Sequence, residues 1–225
     1  MKTRYHENGW VIFIDEDVRT LSDDEIKEVV RLTVSNMVVV FKKQTLTTED
    51  QIRICSVMGK VQRTESERSK HISLTDGILR VTGQKDQYGK EGLFGHKHAL
   101  DWHANQPSNK ERKPLIWLYG AEGTVGSRTS WINNIISYED LSDEMKERLK
   151  GIRVICGYRK GSYSDSEYFN EHLNRDNPID LVQTNQEGKV GLFFPFLQIF
   201  EFEGKTQDEF DELMSILRNH VLQEK

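Results

Sequence analysis

The longest unbroken apolar stretches in this chain are five residues, as in Met37–Phe41 (MVVVF). A run that short, β-branched and bounded by polar residues, reads as one buried strand. A bilayer crossing would need about 20 such residues, so no membrane helix is expected. The fold must therefore be assembled from many short strands packed with amphipathic helices. The 225 residues carry no Gly/Ser/Pro linker and only four prolines, so a single domain over 1–225 is expected.

Start signals place the helices. Ser22-Asp-Asp-Glu25 and Thr206-Gln-Asp-Glu209 are capping boxes. Ile26, Val29, Val30 and Val34 follow the first at helical spacing, to about Asn36. Phe210, Leu213, Met214, Leu217 and Val221 follow the second. Thr47 starts a helix with Ile52, Cys55 and Met58 on its stripe, ended by Gly59, and Ser142 starts another, closed by Gly151. A short helix is expected around Tyr138–Leu141. Strands are expected at Trp10–Ile14 (alternating around Val11 and Phe13), Ile78–Val81, Pro114–Tyr119, Ile152–Tyr158 and Val190–Phe196. Neither GxGxxG nor GxxxxGK[ST] occurs, so the nucleotide-binding fingerprints are missing. This pattern suits an α+β, mostly β architecture, a sandwich or barrel with flanking helices.

Charge narrows the partners. Lys and Arg number 31 against 36 Asp and Glu, a net charge of −5, which disfavours nucleic-acid binding through a general basic footprint. The N-terminal MKTRYHENGW lacks an apolar signal-peptide core. Two cysteines, Cys55 and Cys156, make no disulfide framework, so a reduced, cytoplasmic setting is expected.

Three of the seven histidines, His96, His98 and His103, fall close together. The phrase Asp101-Trp102-His103-Ala104-Asn105, if extended, directs residues 101, 103 and 105 to one face. A carboxylate, an imidazole and a carboxamide would then stand side by side. That spacing suits a two-point metal clamp; with a distant histidine it would make the facial triad of non-haem iron oxygenases. The plainer reading is a hydrogen-bonded histidine with no metal.

Several stretches occur in an order that resembles the TauD/TfdA (taurine dioxygenase-like) family of Fe(II)/2-oxoglutarate-dependent oxygenases. Val38-Val-Val-Phe41-Lys-Lys-Gln44-Thr-Leu46 resembles that family's strand and turn, and Thr48–Met58 its following helix. Trp102-His103-Ala-Asn105 stands where the family has W-H-x-D, and Gly126-Ser-Arg-Thr129 where it has G-G-x-T. Tyr138–Leu141, Gly188–Pro195 and Glu203-Gly204 continue the match. The resemblance implies a double-stranded β-helix (jelly roll) with flanking helices. It implies Fe(II) and 2-oxoglutarate as cofactors, and hydroxylation of a small-molecule substrate. His103 would be the first iron ligand, Thr129 would bind the 2-oxoglutarate carboxylate, and Trp102 would pack beside the metal segment.

Two departures stand out. Position 105 is Asn, which offers a weaker, neutral donor. Either Asn105 binds through its oxygen, or Asp101 restores the missing charge, or the open position admits another ligand. The family's second iron histidine and its 2-oxoglutarate arginine follow the last helix, and the chain stops at Lys225. A C-terminally incomplete jelly roll is therefore expected, a fragment of a longer frame or a fold completed by another chain; a homo-oligomer stays open. His172 and His220 read as surface residues. His96 and His98 read as lining the substrate mouth or decorating a loop, and Lys85–Lys90 as part of a lid. Trp117, Tyr119 and Trp131 read as core aromatics, and Arg128 as exposed. The rival readings are a non-catalytic jelly-roll module without iron chemistry, and a zinc hydrolase built on His96, His98 and His103.

Overall fold

Polar caps set where the helices begin. Ser22 opens α1 (Asp23–Asn36), Thr47 opens α2 (Thr48–Met58), Asn133 opens α3 (Asn134–Glu139), Ser142 opens α4 (Asp143–Leu149) and Thr206 opens α5 (Gln207–Val221). Each cap side chain accepts from a backbone N–H that the first helical turn leaves unpaired. At α1, α2 and α5 the third helical residue reaches back to close a full capping box. Helix α3 begins four residues ahead of the expected Tyr138, because Asn133 Oδ1 accepts from the N–H groups of both Ile135 and Ile136.

The computed structural model describes residues 1–61, 73–75, 77–79, 81, 101–105, 107, 115–158 and 172–223. They fall into two compact units, Met1–Gly95 with Trp117–Ser130, and His96–Ile116 with Trp131–Lys225.

In the first unit β1 (Thr3–Tyr5) pairs antiparallel with β2 (Val11–Ile14), which pairs parallel with β3 (Val38–Phe41). Helix α1 is the crossover between β2 and β3. The buried face of β2 is Ile12 and Ile14, both 0% exposed, not the expected Val11 and Phe13. Phe13 lies on the other face, with the Lys42 ammonium 4.4 Å and the Arg4 guanidinium 4.7 Å from its ring centroid. Ile12 and Ile14 meet Val18, Leu21, Ile26, Val29 and Ile54 in this unit's core. On α2 the fully buried residue is Ile54, while the predicted stripe of Ile52, Cys55 and Met58 is half-buried; burial still pushes the Cys55 thiol pKa up. Gln44 braces the unit: its Oε1 accepts from the Val18 N–H, and its Nε2 donates to the carbonyls of Glu16 and Lys42. A further hairpin joins β4 (Ser73–Thr75) to β5 (Ile78–Leu79).

In the second unit β6 (Arg153–Tyr158) is the central strand. It pairs antiparallel with β7 (His172–Leu173), β8 (Ile179–Asp180) and β11 (Ile199–Phe202). A separate hairpin pairs β9 (Val182–Thr184) with β10 (Val190–Leu192). The expected strand over Val190–Phe196 stops at Leu192. Pro195 has no N–H to give a ladder; Phe194 and Phe196 flank it, both buried and edge to face at 4.4 Å. Gly191 sits under α3: a Cβ there would meet the Asn134 carbonyl oxygen at 3.2 Å. Leu213, Leu217 and Val221 of α5 close the core over Val154, Cys156, Leu181 and Phe202.

Among the described residues the strands form four small sheets and no closed barrel. The expected strand at 114–119 forms no ladder over 115–119, although its burial alternates: Trp117 and Tyr119 are half-buried, Ile116 and Leu118 exposed. Trp131, expected in a core, is 49% exposed. His220, expected in solvent, is half-buried and its Nε2–H donates to the Ser137 carbonyl at 2.8 Å. Among the described residues no helix is long and apolar enough to cross a membrane.

Candidate active site

The segment Asp101–Asn105 has no strand ladder and bends at Trp102 and Asn105, and burial alternates only over its last four residues. Trp102 and Ala104 are half-buried, whereas His103 and Asn105 are exposed. The missing strand partner is replaced in part by a side chain. Gln198, only 1% exposed, accepts from the Ala104 N–H and donates to the Ala104 carbonyl, both at 2.8 Å. Two residues back, the Trp102 carbonyl accepts from the Leu197 N–H at 3.0 Å. These three bonds pin the backbone on both sides of His103, in a segment that bends at Trp102 and Asn105. A side-chain amide can pair with the N–H and C=O of one residue but cannot continue a ladder, so no strand is formed.

Asp101 anchors the start of the segment. Its Oδ1 accepts from the Trp102 N–H at 2.9 Å and its Oδ2 from Arg218 Nη2 at 3.0 Å. Arg218, on α5, also stands with its guanidinium 5.4 Å from the Phe196 ring centroid. Both charged side chains are partly exposed, 47% and 38%, so this pair orients more than it stabilises.

The His103 imidazole has one protein partner in the segment. Its Nδ1 lies 2.9 Å from the Asp101 carbonyl oxygen. A carbonyl only accepts, so the contact puts the proton on Nδ1 and leaves the Nε2 lone pair on an exposed ring. Imidazoles that bind metals are held in this way, with the second nitrogen donating to a fixed acceptor. The donor chemistry thus fits one position of an iron site through His103. A second donor is the Asn105 carboxamide, exposed and two residues on. Among the described residues no group of three or more His, Cys, Asp and Glu side chains could hold a metal.

The other predicted site residues lie elsewhere. His96 and His98 fall outside the described residues, as do Lys85–Lys90. The side chain of His172 is also outside them. Trp102 packs against the core of the second unit. Thr129 belongs to the first unit and is exposed, as is Arg128. It follows a turn in which the Ser127 N–H donates to the Thr124 carbonyl at 3.0 Å, with Gly126 at φ +83°. That φ is the glycine requirement of a type II turn at its third position. Sequence reasoning missed Gln198 and Arg218. For Gln198 the available signal was a lone amide inside the aromatic run Phe194–Phe200.

Comparison with known proteins concerns the chain as a whole. The family model described as taurine catabolism dioxygenase TauD, TfdA family matches residues 12–225. Among solved structures, AAD-2 in complex with Mn(II) and N-oxalylglycine superposes with a TM-score of 0.63 at 18% identity, covering 99% of this chain and 80% of that one. A taurine dioxygenase from Burkholderia xenovorans superposes with a TM-score of 0.61 at 17% identity, covering 95% of this chain and 70% of that one. At these identities the likeness establishes a shared fold. No curated protein matches the chain. Dioxygenases of the TauD family use Fe(II) and 2-oxoglutarate. A match running over almost the whole length, together with the shared fold, makes this chain a member of the taurine catabolism dioxygenase TauD, TfdA family.

Proposed function

We propose that the chain is an Fe(II)/2-oxoglutarate-dependent dioxygenase that hydroxylates a small metabolite in the cytoplasm. The observation that carries this reading is the His103 contact: Nδ1 is committed to the Asp101 carbonyl and the exposed ring offers Nε2. In this reading His103 holds the metal, with the Asn105 oxygen as the neighbouring donor. Asp101, both of whose carboxylate oxygens already accept hydrogen bonds, keeps the segment in place and lends it negative charge. The exposed Thr129 hydroxyl binds a 2-oxoglutarate carboxylate, as the resemblance to G-G-x-T implies. Trp102 walls the metal segment, and His96 and His98 are the substrate-side candidates. The bound cofactors supply the oxidative decarboxylation that drives hydroxylation of a C–H bond. The match over residues 12–225 supports reading the chain as one oxygenase domain with a jelly-roll core.

The test is Fe(II)-dependent succinate release from 2-oxoglutarate by the purified chain. His103→Ala should abolish it without lowering the melting temperature, because the ring is exposed. Undiminished turnover in that variant overturns the reading. One observation favours a second reading, a jelly-roll module without redox chemistry: the neutral Asn105 stands where the family has a carboxylate. That module would show no rise in melting temperature on adding Fe(II), whereas a binding site raises it by mass action.

A further inference from the structure

We propose that Gln198 is a positioning residue for His103. It sits 94 positions from Ala104 in sequence, and its carboxamide is almost fully removed from water. Both of its hydrogen bonds go to one residue, Ala104, holding its N–H in the peptide that follows His103 and its carbonyl in the next. A buried amide that found no partner would be costly, so the Gln198 side chain and the Ala104 peptide constrain each other. With Ala104 pinned on one side of His103 and the Trp102 carbonyl pinned on the other, the backbone torsions between them are set. Those torsions decide whether the imidazole can reach back to the Asp101 carbonyl. Gln198 thereby selects the Nδ1–H tautomer and aims Nε2 outward without touching the ring.

The metal consequence rests on the function proposed above; the tautomer consequence does not. The experiment uses the full chain and two readouts. One is the set of ¹⁵N shifts of the His103 ring, which report its tautomer; the other is affinity for Mn(II). The wild type should show the Nδ1–H form. Gln198→Met keeps side-chain length and removes both hydrogen bonds. It should shift His103 toward the tautomer mixture of a free imidazole and weaken Mn(II) binding about 10- to 100-fold, the range for loss of a group that orients a metal ligand. Asn174→Leu is the structural control, since Asn174 is another buried amide of the same unit, bonded to Cys156 and Asn177. It should lower the melting temperature and leave both His103 readouts unchanged. Should Gln198→Met not fold, Gln198→Asn decides: its carboxamide is one methylene too short to hold both Ala104 groups, so the Nδ1–H share must fall. An unchanged tautomer in the Gln198 variants, or an equal tautomer shift in Asn174→Leu, overturns the assignment. His103→Ala with unchanged Mn(II) affinity would instead overturn the metal reading, while the tautomer comparison still decides the role of Gln198.

Discussion

Helix α5 ties the core of the second unit to the His103 segment, and Leu217→Ala measures how firmly. Leu217 is 0% exposed and packs between Leu213 and Val221, at 3% and 7%, in the cluster that holds Val154, Leu181 and Phe202. The substitution deletes three carbons. At ~0.8 kcal/mol per buried methylene the transfer loss is about 2.4 kcal/mol. The surrounding side chains relax only in part, so the residual cavity raises the total to about 3–5 kcal/mol. With an m-value of roughly 2–3 kcal/mol/M in urea for a chain this size, the midpoint should fall by about 1–2.5 M. Urea titration followed by far-UV circular dichroism, and by tryptophan fluorescence with Trp10, Trp117 and Trp131 replaced by Phe so that Trp102 alone reports, reads this directly. Arg218 is the next residue, so Mn(II) binding through the His103 segment should weaken at urea concentrations where the wild type still binds. The control is Glu212→Ala, which breaks an exposed ion pair to Arg148 (side chains 58% and 41% accessible) and should cost less than about 1 kcal/mol. A Leu217→Ala loss below about 1 kcal/mol would refute the claim that this stripe closes the core.

Three further outcomes are expected. Asn105→Asp adds an anionic oxygen two residues from His103, and should tighten Mn(II) binding by roughly tenfold or more, measured by equilibrium dialysis; equal or weaker binding would count against Asn105 as the second donor. Gly191→Ala drives a methyl against the Asn134 carbonyl oxygen at 3.2 Å, and because that oxygen is backbone the chain must shift, so a lowered melting temperature is expected from calorimetry, and an unchanged one would show that α3 is free to move off β10. The Glu209 carboxyl is held down to about 2, from 4.5, by the Thr206 backbone N–H and then by Lys205 and the Thr206 hydroxyl; a depressed folded pKa means stability present above 4.5 and lost as pH falls toward 2, so Glu209→Gln should lose most against wild type near neutral pH, with the gap closing in acid, and parallel stability curves would exclude this linkage.

What could be read from residues alone follows the range of the interaction. The capping boxes at Ser22 and Thr206 were legible because all their atoms lie within four residues, and the α5 stripe because a helix repeats its own geometry. The inward face of β2 was not legible: Val11, Ile12, Phe13 and Ile14 are apolar on both sides, and burial depends on the core that α1 and α2 build against one of them. The run before Pro195 read as a longer strand because aromatic β-propensity speaks locally, while the loss of ladder donation is felt only against a partner. Four small sheets, and not a barrel, are what the described residues display, whereas membership of the family was legible in the order of its motifs and is matched over residues 12–225.

The His103 segment divides the same way. The identity of a metal-binding imidazole is a local signal, carried by His103 and its neighbours at two-residue spacing. Its protonation and aim are not, because they pass through the Asp101 carbonyl, the Ala104 backbone and a glutamine 94 residues beyond Ala104. A carbonyl two residues upstream can take the Nδ1 proton only if the backbone bends to bring it there, and nothing in Asp-Trp-His-Ala-Asn demands that bend. Gln198 and Leu197 impose it from the far end of the same unit. The neutral Asn105 sharpens the point. With less charge at the second position, the site depends more on a preset Nε2, so variants of Gln198 should cost more metal affinity in the natural chain than in the Asn105→Asp background. Equal losses in the two backgrounds would mean that the Gln198 latch and the donor at 105 act independently, and that the preset imidazole does not compensate for the missing carboxylate.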